Sequence, residues 1–240
     1  MSEREAPVAT RGTRAGAEGL GRRLSVRGGT PLYDALKRAM DLVLASALLV
    51  VVFPLYPLVA LAIVLDSPGP VIFRQQRIGR GGRPFRLLKL RSMVADADPA
   101  LHRRYVQSLM TPAVSIESSA PKALFKINDD PRITRVGRIL RTTSLDELPQ
   151  LINVLRGEMT LVGPRPDLPY AVRVYEPWQR ERLEVLPGIT GLWQVSGRSR
   201  LSPLEMMELD IRYVRERSLW LDVAILIRTV PRILRMRDSA

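Results

Sequence analysis

The chain has 240 residues, with 37 Lys or Arg against 24 Asp or Glu, a formal net charge of +13, one His and no Cys. The missing thiols exclude disulfides, thiolate nucleophiles and Cys-ligated zinc or iron–sulfur centres, and a lone His excludes multi-His metal sites. Chemistry is left to carboxylates, Arg and Lys, with a hard cation such as Mg²⁺ as helper, and the positive charge asks for an anionic partner: nucleic acid, an acidic membrane surface or a phosphorylated small molecule.

Residues 1–30 lack apolar periodicity, carry six Arg against three Glu, and read as a disordered, mildly basic arm. The apolar run begins only after Asp41 and is too long for the core of a secretory signal. From Leu42 to Leu65 there are 24 residues without a charge, about 36 Å as a continuous helix and enough for a bilayer core of about 30 Å. A straight transmembrane helix is one reading. Pro54 and Pro57 argue for a sharp bend instead, since each removes a helical donor and crowds the preceding turn. Charge points the same way. Lys37 and Arg38 precede the run, and Arg74, Arg77, Arg80, Arg83, Arg86, Lys89 and Arg91 follow it, so the positive-inside tendency places both flanks in the cytoplasm, which a re-entrant helix satisfies.

Ser67-Pro-Gly-Pro ends the helix. Val71-Ile-Phe, a turn at Gly79-Arg-Gly-Gly and the run Pro84 to Met93 then predict a β-hairpin. On its second strand the period of two puts Phe85, Leu87, Lys89 and Arg91 on one face, either as an exposed charged face or as a phosphate clamp. Residues 95–130 are polar helix material and a loop. His102, the sole candidate for a Ser–His–Asp triad, sits there in Asp98-Pro-Ala-Leu-His-Arg-Arg and reads as a solvated surface residue.

The densest constellation is DDPRITRVGRILRTTSLDELPQLINVLRGEMTLVGPRPD, residues 129–167. Ser144 followed by Glu147 and an apolar run fits a capping box, although Pro149 fits that frame awkwardly and suits a helix that starts at Glu147 with Asp146 as its cap. A helix start preceded by several Arg is also prepared for phosphate. Asp146 and Glu147 would repel a phosphorylated ligand unless a divalent cation or the arginines neutralised them, and a carboxylate beside Mg²⁺ can attack phosphorus to give an acyl phosphate. Gly163-Pro-Arg-Pro is a rigid turn that aims Arg165. Pro187 to Arg198 reads as a Gly-rich loop around Trp193. Ser202-Pro-Leu-Glu opens a capped helix with a core stripe of Leu204, Met207, Ile211 and Val214; Asp210 lies outside the stripe, as a surface acid or with a role that spacing does not fix. From Leu219 to Arg237 an apolar helix carries Arg228, Arg232 and Arg235 on one face, fit either for the membrane interface or for packing on the core.

Lys37-Arg38 with Asp41 before a proline-bent apolar helix, GPVIFRQQRIGRGGRPFRLLKLRSM, DPRITRVGRILRTTSLDELPQLINVLRGEMTLVGPRP and PGITGLWQVSGR together resemble the bacterial sugar transferase family, the monotopic polyprenyl-phosphate phosphoglycosyl transferases. The resemblance spans about residues 33–236. It implies a mainly helical α+β monotopic membrane protein with a re-entrant helix at 31–66, a small β-hairpin, amphipathic interfacial helices, and a cytoplasmic catalytic domain over 67–240. The implied activity moves a sugar-1-phosphate from a UDP-sugar to undecaprenyl phosphate at the cytoplasmic face of the bacterial inner membrane, with release of UMP, as the first membrane step of surface polysaccharide or glycoconjugate synthesis. In this reading Asp146 is the nucleophile of a covalent phosphosugar intermediate and Glu147 binds Mg²⁺. Lys89, Arg91, Arg141, Arg165 and Asp210 are the expected substrate-binding residues. The Trp-Gln-Val-Ser-Gly-Arg block looks more like members that use UDP-hexoses, and a homodimer is compatible with the family. The polar segment 95–125 is longer than in the most compact members. An acceptor phosphate with its second pKa near about 6 is mostly dianionic at neutral pH and needs no general base, so the absence of a working His is no handicap. Nucleic acid is not an expected partner, because aromatic residues are only 5% of the chain and do not interleave with a basic cluster. A membrane scaffold in which Asp146 and Glu147 merely cap a helix is the noncatalytic alternative.

Overall fold

A computed structural model describes residues 29–94, 130–197 and 200–234; most of the predicted arm, the segment 95–125, His102 and Arg235 lie outside the described residues. Helix α1 (Pro31–Val52) starts where the sequence supplies a cap: the Thr30 hydroxyl accepts from Tyr33 N at 3.1 Å, and Pro31 occupies the first helical position, where its missing N–H costs nothing. At Pro54 the ladder changes to a 3₁₀ turn, Phe53–Leu55, before α2 (Tyr56–Asp66) resumes, so the prolines interrupt the apolar segment where they were expected to. Across Pro31–Asp66 an 18-residue window reaches a mean hydropathy of 2.8 with only 6% of it buried, a segment long and apolar enough for a membrane and left uncovered by the other described residues.

Both ends of this segment are nonetheless tied to the body. Near the start, Asp41 is 1% exposed; its carboxylate accepts from the Thr160 hydroxyl at 2.6 Å and from Leu161 N at 3.0 Å. At the far end Ile63 is buried with Leu90 and Leu140, and Asp66 accepts from Val136 N at 2.8 Å.

The hairpin forms as predicted. β1 (Ile72–Ile78) and β2 (Pro84–Leu90) pair antiparallel, with Ile72 opposite Leu90 and Ile78 opposite Pro84, around a turn in which Gly81 and Gly82 take positive φ. β2 borders both apolar clusters: Leu87 belongs to the main core, with Leu151, Val154, Met159, Val162, Tyr213 and Ile225, and Leu90 to the smaller one. Then come α3 (Arg135–Thr142), capped by Thr134, a 3₁₀ turn (Leu145–Glu147), and α4 (Gln150–Leu155). Asn153 of α4 is fully buried and acts as a surrogate strand edge: its side chain accepts from Leu88 N at 3.0 Å and donates to Arg86 O at 2.8 Å, which fixes β2 against α4.

A second sheet was not expected. β3 (Thr160–Val162) pairs in parallel with β4 (Gly188–Thr190), inside the stretch read as a Gly-rich loop, and the connection holds α5 (Pro169–Arg173) and a 3₁₀ helix, Trp178–Glu184. Gly188 permits this approach, since a Cβ there would lie 2.1 Å from Gly163 N. After α6 (Leu192–Ser196), α7 (Pro203–Glu216) opens with the predicted capping box, both of its hydrogen bonds formed between Ser202 and Glu205. Met207, Ile211 and Val214 are buried as read, whereas Leu204 is exposed. The last helix, α8 (Leu219–Leu234), divides its faces. Asp222 and Ile225 are buried and Thr229 bonds Thr190 at 2.8 Å, so it packs on the body, while Trp220, Val223, Ile227 and Val230 face outward.

The Asp41 contacts predict a large effect. Asp41→Ala would strand a buried hydroxyl and a buried N–H, each costing about 1–3 kcal/mol, so unfolding in detergent micelles should show a loss of about 2–6 kcal/mol.

Candidate active site

The predicted capping box at Ser144 does not form. Ser144 has φ 59°, the sole non-glycine residue with positive φ among the described residues, and its side chain caps nothing; α4 begins only at Gln150, after Pro149. The left-handed residue turns the chain sharply after α3, and Pro149, which cannot donate within a helix, delays α4. Asp146 and Glu147 therefore ride on the short 3₁₀ turn, free of any capping duty.

Four groups converge there. Lys89 Nζ, from β2, lies 3.1 Å from Glu147 Oε1 and 3.7 Å from Asp146 Oδ2. Arg165 grips Glu147 with both terminal nitrogens, Nη2 to Oε1 at 2.5 Å and Nη1 to Oε2 at 3.3 Å. The two carboxylates are consequently unlike. Burial opposes charge on Glu147, but Arg165 and Lys89 outweigh it and hold its carboxyl well below the usual range; Glu147 in turn raises the Arg165 guanidinium against the effect of burial. Asp146 is 7% exposed, and burial, helped by the charge of Glu147, raises its carboxyl above the ordinary value although Lys89, Arg165 and Arg141 pull the other way. The site thus holds one saturated carboxylate and one whose charge is incompletely matched.

Of the residues singled out from sequence, Asp146, Glu147, Lys89 and Arg165 meet directly, and Arg141, in the last turn of α3, contributes its charge. Arg91 does not join them. The strand ends at Leu90, and the Arg91 guanidinium, buried, donates at the end of α2 to Pro68 O at 2.6 Å, to Ser67 O at 2.5 Å and to Ile63 O at 3.3 Å, the last of which also accepts from Ser67 N. Asp210 stands apart as well, and it is not a surface acid. It is 1% exposed and ion-paired with Arg182, and burial pushes its carboxyl up to about 7 against the pull of that arginine. Two participants escaped the sequence reading. Arg77 pairs opposite Phe85 and so shares the Lys89 face of the hairpin; it donates to Pro166 O at 3.1 Å, and burial, then the nearby Arg165, lower its guanidinium to about 10. The register of the hairpin was the signal that could have found it. Arg182 lies in a segment with no motif, and nothing local marks it.

No group of three Asp, Glu, His or Cys among the described residues could hold a metal by itself. Mg²⁺ is commonly held by one or two carboxylates together with substrate phosphates, and the all-oxygen Asp146–Glu147 pair fits that pattern.

Buried acid beside clustered cations, on a body carrying an exposed apolar segment long enough for a membrane, suits a protein that handles phosphate at a membrane surface. The bacterial sugar transferase family model matches residues 32–236, and the chain belongs to that family. It is 44% identical over 225 residues to the UDP-glucose:undecaprenyl-phosphate glucose-1-phosphate transferase of Caulobacter vibrioides, covering 88% of this chain and 76% of that protein. To the exopolysaccharide production protein ExoY of Rhizobium meliloti it is 37% identical over 209 residues, covering 87% of this chain and 90% of ExoY. Against the Escherichia coli UDP-glucose:undecaprenyl-phosphate glucose-1-phosphate transferase the identity is 42% over 219 residues, but the match spans only 42% of that longer protein.

Arg91→Met should behave as a structural lesion. With three carbonyls losing a charged donor, stability in micelles should drop by about 2–4 kcal/mol, while a uridine nucleotide that binds the folded protein should bind with unchanged Kd by calorimetry.

Proposed function

We propose that the chain moves a hexose-1-phosphate from a UDP-hexose to undecaprenyl phosphate, in two steps through Asp146. The observation that carries this reading is the buried, under-neutralised Asp146 beside a Glu147 saturated by Lys89 and Arg165. In the first step an Asp146 oxygen forms a bond to the sugar-bearing phosphorus of the donor, and the bond from that phosphorus to the bridging oxygen breaks; UMP leaves with the electron pair. In the second, an oxygen of undecaprenyl phosphate attacks the same phosphorus and returns Asp146 as a free carboxylate. Neither step takes a proton from the nucleophile, in keeping with a site that has no imidazole among the described residues. Lys89 and Arg165 orient the diphosphate and oppose its charge, and Arg141 adds to the same field. Mg²⁺, held by Glu147, would neutralise phosphate oxygens and stabilise the charge that develops on the leaving group. The names of two relatives, UDP-glucose:undecaprenyl-phosphate glucose-1-phosphate transferases, favour a hexose donor, and that of ExoY, an exopolysaccharide production protein, favours a role in surface polysaccharide synthesis.

The membrane attachment is re-entrant in this reading, on the cytoplasmic face of the inner membrane. What supports it is that both ends of the apolar segment dock on one body, Asp41 on β3 and Ile63 with Asp66 on the hairpin and α3, on either side of the break at Pro54. The outward Trp220, Val223, Ile227 and Val230 of α8 give an interfacial surface beside it.

Purified protein given UDP-glucose or UDP-galactose, Mg²⁺ and undecaprenyl phosphate should release UMP, and EDTA should stop the release until Mg²⁺ is restored. Asp146→Asn should lower turnover at least about 1,000-fold and abolish retention of radiolabelled sugar on the protein, since it removes the group that forms the intermediate; near-normal turnover would remove Asp146 as nucleophile. Because the chain has no Cys, Gly28→Cys and Leu55→Cys each install a unique thiol. An impermeant thiol reagent should reach the first in inside-out vesicles only, and labelling from the periplasmic side would overturn the re-entrant topology.

A further inference from the structure

The turn that carries Arg165 cannot secure its own backbone, because Pro164 and Pro166 have no N–H to donate. Yet four successive carbonyls each receive a donor from elsewhere in the chain. Gly188 N reaches Pro164 O at 2.8 Å, Arg182 Nη2 reaches Arg165 O at 2.9 Å, Arg77 Nη1 reaches Pro166 O at 3.1 Å, and Ile78 N reaches Asp167 O at 2.9 Å. Of these, the bond to the carbonyl of Arg165 itself comes from a side chain that is 7% exposed. A guanidinium so buried has to be neutralised. Asp210, from α7, pairs with the same Nη2, and Asp167 pairs with Nη1, which also donates to the Tyr175 hydroxyl at 2.6 Å; that hydroxyl in turn bonds Asp167. The contacts run from α7 through one arginine to the backbone of another, whose guanidinium ends on Glu147.

We propose that Arg182, neutralised by Asp210 and Asp167, is a positioning residue that fixes the backbone of Arg165 and so sets its guanidinium on Glu147, and that Asp210 acts on the reaction only through Arg182. A cluster that merely stabilised the core would support α7 and the 3₁₀ helix without favouring the turn. The two roles predict different couplings.

The proposal rests on the phosphosugar-transfer reading for its activity measurements only; a second measurement needs no substrate. Arg182→Lys and Asp210→Asn keep hydrogen-bonding capacity and are the primary variants, with Arg182→Met as the severe one. In micelles, hydrogen exchange at Ile78 and Gly188, whose N–H groups bond carbonyls of the turn, should accelerate at least about tenfold in Arg182→Lys, while amides within α7 keep their rates. In the UMP assay, Arg182→Lys and Asp210→Asn should each lower kcat by about 10- to 100-fold with a smaller change in KM, the scale expected when a reacting group is displaced by about an ångström. The deciding comparison is a double-mutant cycle. In an Arg165→Met background, either substitution should lower kcat by less than about twofold further, because the residue it positions is gone. Fully additive losses, or exchange that rises equally through α7 and the turn, would overturn the proposal. Should wild-type protein release no UMP from any UDP-sugar, the transfer reading fails, and the exchange rates alone decide whether Arg182 holds the turn.

Discussion

Two neighbouring carboxylates in a site shielded from water repel each other unless cations are brought to them, and much of this architecture serves to bring those cations. Lys89 arrives on a hairpin strand whose free edge is held by Asn153, and Arg165 arrives on a turn anchored from three directions. Neither group comes from the same element as the acids. The result is an unequal pair, with Glu147 enclosed by charge and Asp146 left short of it. Inequality of this kind allows adjacent acids to take different roles, one anchoring charge and the other available to react.

Arginine use is broader than phosphate recognition. Arg38 donates to Val154 O at 2.6 Å and Leu155 O at 2.9 Å, Arg91 closes the end of α2, Arg182 and Arg77 hold the turn of Arg165, and Arg217 reaches Val214 O at 2.5 Å. In each case a guanidinium meets backbone carbonyls at a turn or a helix end, some with no backbone donor and others, such as Ile63 O and Val154 O, already accepting one, and at the helix ends the dipole favours a cation. The positive charge of the described residues therefore divides between the cations gathered at the acidic pair and a set of structural pins.

What could be read in advance was local. The cap at Ser202, the hairpin about Gly79 to Gly82 and the interruption at Pro54 follow from rules that act within a few residues, and all three are present. The acidic pair was legible for the same reason, because Asp146 and Glu147 are adjacent. Failures came where a distant partner decided the outcome. Ser144 looked like a cap because its spacing to Glu147 was right, but Glu147 is claimed by Lys89 and Arg165 from other parts of the chain. Asp210 looked solvated because it lies off the apolar stripe, and only Arg182, 28 residues away in sequence, explains its burial. Arg91 followed the strand's alternation as far as the strand went, then answered to carbonyls at the end of α2. The parallel β3–β4 pair is a short non-local contact whose strands have three residues each, too brief for any periodicity to show.

The way α1 is seated bears on how this protein can be handled. Arg38 covers the carbonyls that end α4, Asp41 satisfies β3, and Ala45 is part of the main core, so the part of α1 on which the apolar segment begins belongs to the folded body. A water-soluble version made by removing residues 31–66 would not be a detached catalytic unit with its anchor cut away. It would have an uncapped helix beneath the acidic pair and an opening in its core, and a soluble derivative would have to keep the first half of α1 and replace only its exposed apolar side chains.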